Sequence, residues 1–296
     1  MKTLITGGTG FIGSALCNEL LKDKNNEITI LSRNPEKTLP QVKSINNLNT
    51  IEKNASFDII INLAGEPIAD KKWTKEQKQK IISSRIDTTE DIIEFIKNSE
   101  NKPKLLISGS AIGYYGIEQS NTDHDENDMS DDSFSSDLCK KWEETALQAN
   151  TYGVRTCLLR TGIVLGKNGG ALSKMLMPFK MGLGGKIGSG EQWMSWIHLD
   201  DLVGIILHCI KQDTLNGPIN GTAPKPSTND DFTKALGKAL NRPTFMPMPK
   251  IIINMLMGQM GVELLLSGKK IMPTKALDSG YQFKYTTLDS ALDNII

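Results

Sequence analysis

The chain has 296 residues, 39% of them hydrophobic, and 34 Lys plus Arg stand against 34 Asp plus Glu. That length can bury a full core, while the balanced charge provides no global field to recruit nucleic acid or an anionic membrane, so any charged partner must be met locally. Cys17, Cys139, Cys157 and Cys209 lie far apart without C-x-x-C spacing, which argues against a zinc site and a disulfide framework and suits reduced thiols.

Thr3 to Gly13 (TLITGGTGFIG) carries a short apolar strand into a glycine cluster and then into a helix. Gly7, Gly10 and Gly13 are spaced G-x-x-G-x-x-G, with Gly8 as a further small residue, so the backbone can turn sharply and a pyrophosphate can approach without meeting a Cβ. The helix expected over Phe11 to Lys22 aims free N–H groups and a positive dipole end at that anion. A second apolar strand at Glu27 to Leu31 completes the context that a dinucleotide fingerprint requires. Thr6, Gly7, Gly10, Phe11, Ile12 and Gly13 are therefore expected to bind the cofactor. The second strand ends at Ser32 and Arg33, about twenty residues beyond Gly13, where the ribose-reading residue belongs. An acid there would bond the 2′-hydroxyl, whereas Ser32 and Arg33 offer a hydroxyl and a cation to a 2′-phosphate, so the expected cofactor is NADP(H).

Residues 34–57 are polar and weakly patterned and read as a loop, a short strand and a linking turn. Asp58 to Leu63 is a continuous apolar strand of the kind buried on both faces of a parallel sheet, and Leu63, Ala64 and Gly65 leave room for a ligand at its carboxyl end. Thr74 to Asn98 reads as one long helix, with Thr74 and Gln77 suiting a capping box and Ile81, Ile82, Ile92, Ile93 and Ile96 in its buried stripe. Lys104 to Ser108 is the next strand, followed by a hydroxyl cluster that includes Ser110, Tyr114 and Tyr115. Thr122 to Ser133 holds six acidic residues and His124, but the spacing fits no calcium loop, so a solvated acidic loop without a metal is expected. A helix over Ser135 to Thr151 and a strand over Thr156 to Arg160 continue the alternation that marks a doubly wound parallel sheet.

Past Thr161 two glycine-rich stretches flank a short methionine-bearing segment. Trp193 to Ile197 reads as a strand, and His198, Asp200 and Asp201 open a helix that runs to Lys211. Two further helices are expected over Thr228 to Leu240 and Lys250 to Ser267, the second amphipathic and too short to span a bilayer. The expectation is an α/β protein: a Rossmann-type doubly wound parallel sheet over residues 1–165, to which the chain returns around 195–225, and a smaller C-terminal α+β substrate-side region over 166–296. No basic and apolar leader precedes the first strand, so the expected location is cytoplasmic.

The segments TGGTGFIG (Thr6 to Gly13), NLAG (Asn62 to Gly65) and SGSAIGYYG (Ser108 to Gly116) resemble an extended short-chain dehydrogenase/reductase, the group that includes nucleotide-sugar epimerases. NLAGEPI, SRI (Ser84 to Ile86), LCKKWE (Leu138 to Glu143), MSWIHLDD (Met194 to Asp201) and GKKIMPTKALDSGYQF (Gly268 to Phe283) are more specifically similar to its atypical branch, sometimes labelled SulA-type nucleoside-diphosphate-sugar epimerases, with that branch's C-terminal accessory domain. The resemblance implies an NADP-dependent oxidoreductase or epimerase-like enzyme for an unidentified small carbonyl or sugar-nucleotide substrate, with Ser110 polarising a carbonyl oxygen, and it implies a homodimer.

The ordinary chemistry of that group uses a tyrosine acid/base, a lysine four residues later, a serine and a relay asparagine. Here Ser135 and Cys139 stand where the tyrosine and lysine belong, and Arg85 stands where the asparagine belongs. A serine hydroxyl does not titrate near neutrality, so oxidation by a tyrosinate does not carry over. Tyr114 or Tyr115 could supply a phenol or wall the pocket; Cys139, near the nicotinamide and beside Arg85, could be an activated thiol or a buried inert one; Arg85 could bind an anionic substrate or the cofactor phosphate. His198 could be a base or a structural strand-to-helix corner. The rival to an enzyme is an NADP(H)-binding sensor or regulatory protein that keeps the pocket without the chemistry.

Overall fold

Short apolar segments pair into a seven-stranded, wholly parallel sheet in the computed structural model, which describes residues 1–37, 40–52, 54–167 and 169–296. In chain order the strands are β1 (Lys2–Thr6), β2 (Glu27–Leu31), β3 (Lys43–Ile45), β4 (Ile59–Asn62), β5 (Leu105–Ala111), β6 (Ser120–His124), β7 (Arg155–Thr161), β8 (Ile163–Leu165), β9 (Trp193–Met194), β10 (Trp196–His198), β11 (Gly217–Gly221), β12 (Ser227–Thr228) and β13 (Lys269–Ile271). The helices are α1 (Phe11–Leu20), α2 (Lys75–Asn98), α3 (Phe134–Leu147), α4 (Gly170–Lys180), α5 (Leu199–Lys211), α6 (Asn229–Leu240), α7 (Lys250–Met257), α8 (Gln259–Leu265), α9 (Thr274–Asp278) and α10 (Leu288–Ile295). Positions 38, 39 and 53 of the polar segment 34–57, and position 168 of the first glycine-rich stretch, lie outside the described residues.

The sheet order is β11-β7-β5-β4-β1-β2-β3, so the chain reverses direction across the sheet between β1 and β4, and their carboxyl ends border a crevice. Side-chain alternation sorts the core into two layers. Ile5, Ile61, Ile107 and Leu159 face α1 and α5, while Leu4, Ile60, Leu106 and Leu158 face α2 and α3. That two-sided burial is why these strands read as unbroken apolar runs. The C-terminal region adds a third cluster around Trp196, Phe232, Leu236 and Leu292, and a fourth, with Trp73, Ile81, Leu138 and Met260, ties α8 to α2 and α3.

Four expectations change. The helix expected over Lys250 to Ser267 is two helices, broken where Gly258 takes φ 57 and ψ −137, a conformation open to glycine. The strand expected over Trp193 to Ile197 is two short ones with different partners: β9 pairs with β12 and β10 with β8. Between them Ser195 turns its Oγ to β13, donating to the Lys269 carbonyl at 2.9 Å and accepting from Ile271 N–H at 3.0 Å. The acidic loop is not simply solvated: Glu126 is buried and accepts from the backbone N–H groups of Asn220 (2.9 Å) and Lys275 (3.2 Å). Only half a capping box forms on α2, since Thr74 accepts from Gln77 N–H at 3.2 Å but the Gln77 side chain reaches Glu66 instead. Among the described residues no helix is long and apolar enough to cross a membrane.

Candidate functional site

The glycine turn has a different constraint at each glycine. Gly7 has φ +68, and a Cβ there would lie 2.5 Å from the Leu63 carbonyl oxygen, so the backbone just past β4 packs directly on it. A Cβ on Gly13 would fall 2.2 Å from the Gly7 oxygen, so the first turn of α1 is pressed onto the glycine loop. A Cβ on Gly10 would meet Gly7 O alone, at 3.2 Å, so internal packing asks little of this position and its bare face is left for a ligand. Gly10 is also the N-cap of α1, with no side-chain cap and no acid in the first turn, which leaves the helix's first N–H groups free for an anion. These features fit the phosphates of a dinucleotide.

A cavity of about 420 Å³ beside α1 is lined by Thr9, Gly10, Phe11, Ser14 and Lys167 among others. Lys167 is a cation that the sequence does not single out; its one signal is its place in a glycine-rich stretch. Thr6 is 1% exposed, and its Oγ1 donates to Asn62 Oδ1 at 2.6 Å and accepts from Ala64 N–H at 3.2 Å, so this side chain fixes β4 rather than reaching a ligand. The Phe11 ring packs where Cβ atoms of Gly169 and Gly170 would stand, and Ile12 packs on the core beneath. At the tip of β2, Ser32 Oγ accepts from Asn34 N–H at 3.1 Å, and the exposed Arg33 forms no ion pair among the described residues.

Leu63, Ala64 and Gly65 follow β4 into the crevice, where Arg85 of α2 closes over Gly65. The Arg85 Nη1 donates to the carbonyls of Glu66 and Ile81, both at 3.1 Å, and the guanidinium lies 5.2 Å from the Trp142 ring. Burial lowers its pKa, with Cys139 and Glu66 opposing that shift.

At the carboxyl end of β5 the polar groups are joined. Ser110 is 5% exposed, and its hydroxyl donates to Glu143 Oε1 at 2.6 Å. Arg160 of β7 holds the same carboxylate with two prongs, Nε at 2.8 Å and Nη2 at 2.9 Å, and its Nη1 donates to the Tyr115 hydroxyl at 3.0 Å. Tyr115 in turn donates to Asn220 Oδ1 at 2.8 Å. The Arg160 guanidinium stacks 3.4 Å from the Tyr114 ring centroid, so Tyr114 walls this network with its face. Burial alone would lower Arg160, but hydrogen bonds and charge from Glu143 and Tyr115 raise its pKa overall. Burial raises Tyr115 well above the ordinary phenol value despite Arg160, which keeps it protonated at neutral pH.

The structure brings Ser110, Cys139 and Arg85 together and alters two of their expected roles. The Cys139 thiol is pushed up to about 11, chiefly by burial and then by Glu143, with Ser110 and Arg85 opposing. It therefore stays a thiol near neutrality, which removes the activated-thiol role. Ser110 could polarise a carbonyl only with a free proton, and that proton faces Glu143. Ser135, at the position of the usual tyrosine, gives both its N–H (3.0 Å) and its hydroxyl (2.6 Å) to Glu263 of α8. His198 is the corner residue: its Nδ1 accepts from Asp200 N–H at 3.0 Å and caps α5, its ring lies 3.9 Å from that of Tyr285, and burial lowers its pKa.

Residues 3–220 match the NAD dependent epimerase/dehydratase family, and residues 248–295 match a domain of unknown function, DUF1731. The chain belongs to the NAD dependent epimerase/dehydratase family. Within it, the chain is 39% identical over 306 residues to the Arabidopsis thaliana "Epimerase family protein SDR39U1 homolog, chloroplastic", covering 100% of this chain and 87% of that protein. It is 36% identical over 298 residues to the Homo sapiens Epimerase family protein SDR39U1, covering 100% of each. A crystal structure of the human protein, isoform 2 with NADPH, matches with a TM-score of 0.90 at 34% identity, covering 100% of this chain and 99% of that one. UDP-glucuronic acid 4-epimerase from Bacillus cereus, in complex with NAD, shares the fold at a TM-score of 0.77 and 18% identity, covering 99% of this chain and 94% of that one. The DUF1731 match begins at 248, so it takes in α7, α8 and with them Glu263.

Proposed function

We propose that this family member binds NADP(H) at the carboxyl ends of β1, β2 and β4 and acts as an epimerase-like oxidoreductase on a small carbonyl or sugar-nucleotide substrate, without the usual tyrosine and lysine. The observation that carries the proposal is the uncapped start of α1 facing Gly10, with Arg33 and no acid at the tip of β2. The human relative crystallised with NADPH supports the same cofactor. Gly7, Gly10 and Gly13 with the first N–H groups of α1 would hold the pyrophosphate, Ser32 and Arg33 the 2′-phosphate, and Leu63 to Gly65 with Arg85 the far side of the crevice. The cofactor, when bound, supplies a hydride donor or acceptor.

Ser110 donates its hydrogen bond to Glu143, so its oxygen retains lone pairs that can accept a hydrogen bond from a substrate hydroxyl. Arg160 fixes Glu143, and thereby the direction in which the Ser110 proton points. The family fold supports the reaction class, not a particular substrate. A second reading, a sensor that binds NADP(H) without turnover, draws on the protonated Cys139 thiol and on Ser135 being held by Glu263.

The test is a calorimetric titration of cofactor-free protein with NADPH and with NADH, repeated on Arg33→Ala. A preference for NADPH of roughly tenfold or more, lost in the variant, is the expected result; binding of neither nucleotide refutes both readings. Oxidation of NADPH in the presence of a panel of carbonyl compounds then separates enzyme from sensor. In the enzyme, Ser110→Ala removes turnover while leaving NADPH binding intact.

A further inference from the structure

Two neighbouring stretches, the end of α4 with the loop after it and the segment from Phe245 through α7, hold most of the exposed large apolar side chains. On α7 (KIIINMLM), Ile251, Met255 and Leu256 are 74%, 75% and 64% exposed, and among the large apolar residues of that helix Ile253 alone is fully buried. A helix apolar on all sides belongs in a core or against a partner. Met177 and Met181, at the end of α4, and Phe245, before α7, extend the surface at 71%, 67% and 71% exposure. The two stretches are stitched together by backbone bonds from Met246 N–H to Gly184 O (3.2 Å), Met248 N–H to Lys186 O (2.9 Å) and Gly188 N–H to Met248 O (2.9 Å). Monomeric proteins rarely leave a contiguous apolar surface of more than a few hundred Å² uncovered.

The charge within these two stretches is of one sign, with Glu191, Glu263 and Asp230 at their borders. Residues 170–190 and 241–262 contain Lys174, Lys180, Lys186, Arg242 and Lys250 and no Asp or Glu, in a chain whose overall charge is balanced. Lys174 is paired with Asp70 of the loop after Gly65; the other four have no acidic partner among the described residues. Protein–protein interfaces are enriched in aromatic residues, Met and Arg and depleted in Lys; this surface shares their Met and Phe but carries four Lys to one Arg in the two stretches, so the lysines are what set it apart. A two-fold pairing of the face with a second copy would also set like charges opposite one another. Lysines rimming exposed Ile, Leu and Met are what the headgroup region of an anionic bilayer accommodates, since the stems lie along the apolar layer and the ammonium groups reach the phosphates.

We propose that this face docks on the surface of a bilayer containing anionic lipids, with α7 lying in the interface. The docked face adjoins the crevice loop, because Lys174 Nζ also donates to the Ala69 carbonyl at 3.0 Å and a Cβ on Gly258 would lie 3.7 Å from Lys72.

The test is sedimentation of the full chain with vesicles of phosphatidylcholine alone and of phosphatidylcholine with phosphatidylserine. The protein partitions onto the phosphatidylserine vesicles at least about tenfold more strongly, and high salt reduces the difference. The double variants Ile251→Glu with Met255→Glu, and Lys180→Glu with Lys250→Glu, each lower the partition coefficient about tenfold or more while keeping the native circular dichroism, since the four side chains are exposed. Failure of the native chain to sediment with anionic vesicles, or sedimentation that both variants leave unchanged, overturns the proposal. So does light scattering that shows a dimer dissociated by Met255→Glu, which assigns the face to a second copy.

Discussion

Replacing Glu143 with alanine tests whether the network at the end of β5 is organised as described. The side chains of Arg160 and Glu143 are 2% and 7% exposed, so water cannot take over for a lost partner. The substitution leaves the Arg160 Nε and Nη2 donors and the Ser110 hydroxyl without their acceptor. Stranding one member of a buried pair costs roughly 3–5 kcal/mol. Against a total stability of about 5–15 kcal/mol, that is a large share. With about 2–4 °C per kcal/mol in chains of 150–250 residues, the melting temperature falls by roughly 6–20 °C. Glu143→Leu combined with Arg160→Met removes both charges and costs less, about 1–3 kcal/mol for the Ser110 hydroxyl left without its acceptor, while Tyr115 still donates to Asn220. Thermal and urea unfolding followed by circular dichroism measure both. If Glu143→Ala stays within about 1 kcal/mol of the native protein, or the double variant is the less stable of the two, the pair is not the buried, mutually dependent unit described.

Gly13→Ala places a Cβ 2.2 Å from the Gly7 oxygen and is expected to lower both stability and NADPH affinity, whereas Gly10→Ala, with its nearest contact at 3.2 Å, keeps the melting temperature and loses NADPH affinity in a titration. Burial depresses His198 below its ordinary value of 6.5, so its contribution is intact above pH 6.5 and declines as the pH falls, when the unfolded chain takes up the proton first. His198→Asn keeps an acceptor for Asp200 N–H and should flatten the fall in stability below pH 6.5; taken as a difference from the native protein, the opposite slope from Glu126, raised by burial, cancels. All four cysteines are buried, so a thiol reagent at neutral pH should label the native protein only as it unfolds, and prompt labelling of Cys139 would contradict its placement.

The nucleotide half of the crevice is legible in the sequence because its determinants are local. A strand, three glycines and a helix lie within the first twenty residues, and Arg33 follows the next strand. The opposite half depends on contacts between distant segments. Glu143 sits in a quoted motif, yet nothing local says that Arg160 will meet it, although a lone arginine in the apolar strand TCLLR was itself a signal of a buried partner. Glu263 reaches Ser135 across 128 positions, and no periodicity reports such a pairing. The division of the expected long helix into α7 and α8 falls at Gly258, the one local signal of the break; which side chains are then buried is tertiary, with Ile253 and Met260 buried, Met257 half-buried and most of α7 exposed.

The route from Tyr115 through Asn220 to the chain's last fifth also orders events during synthesis. The outermost strand, β11, joins β7 only after 221 residues have been made, and its Asn220 leans on Glu126, 94 positions earlier, and on the carbonyl of Met272. Glu126 receives its other partner, Lys275 N–H, across 149 positions. A nascent chain therefore holds an unfinished sheet edge beside β7 until β11 is made, and a carboxylate destined for burial that gains its last partner only when Lys275 has been made. A chain stopped before Met272 can pair β11 with β7 but lacks the Met272 carbonyl and the Lys275 N–H, so the C-terminal segment completes the partners of Asn220 and Glu126 behind the outermost strand.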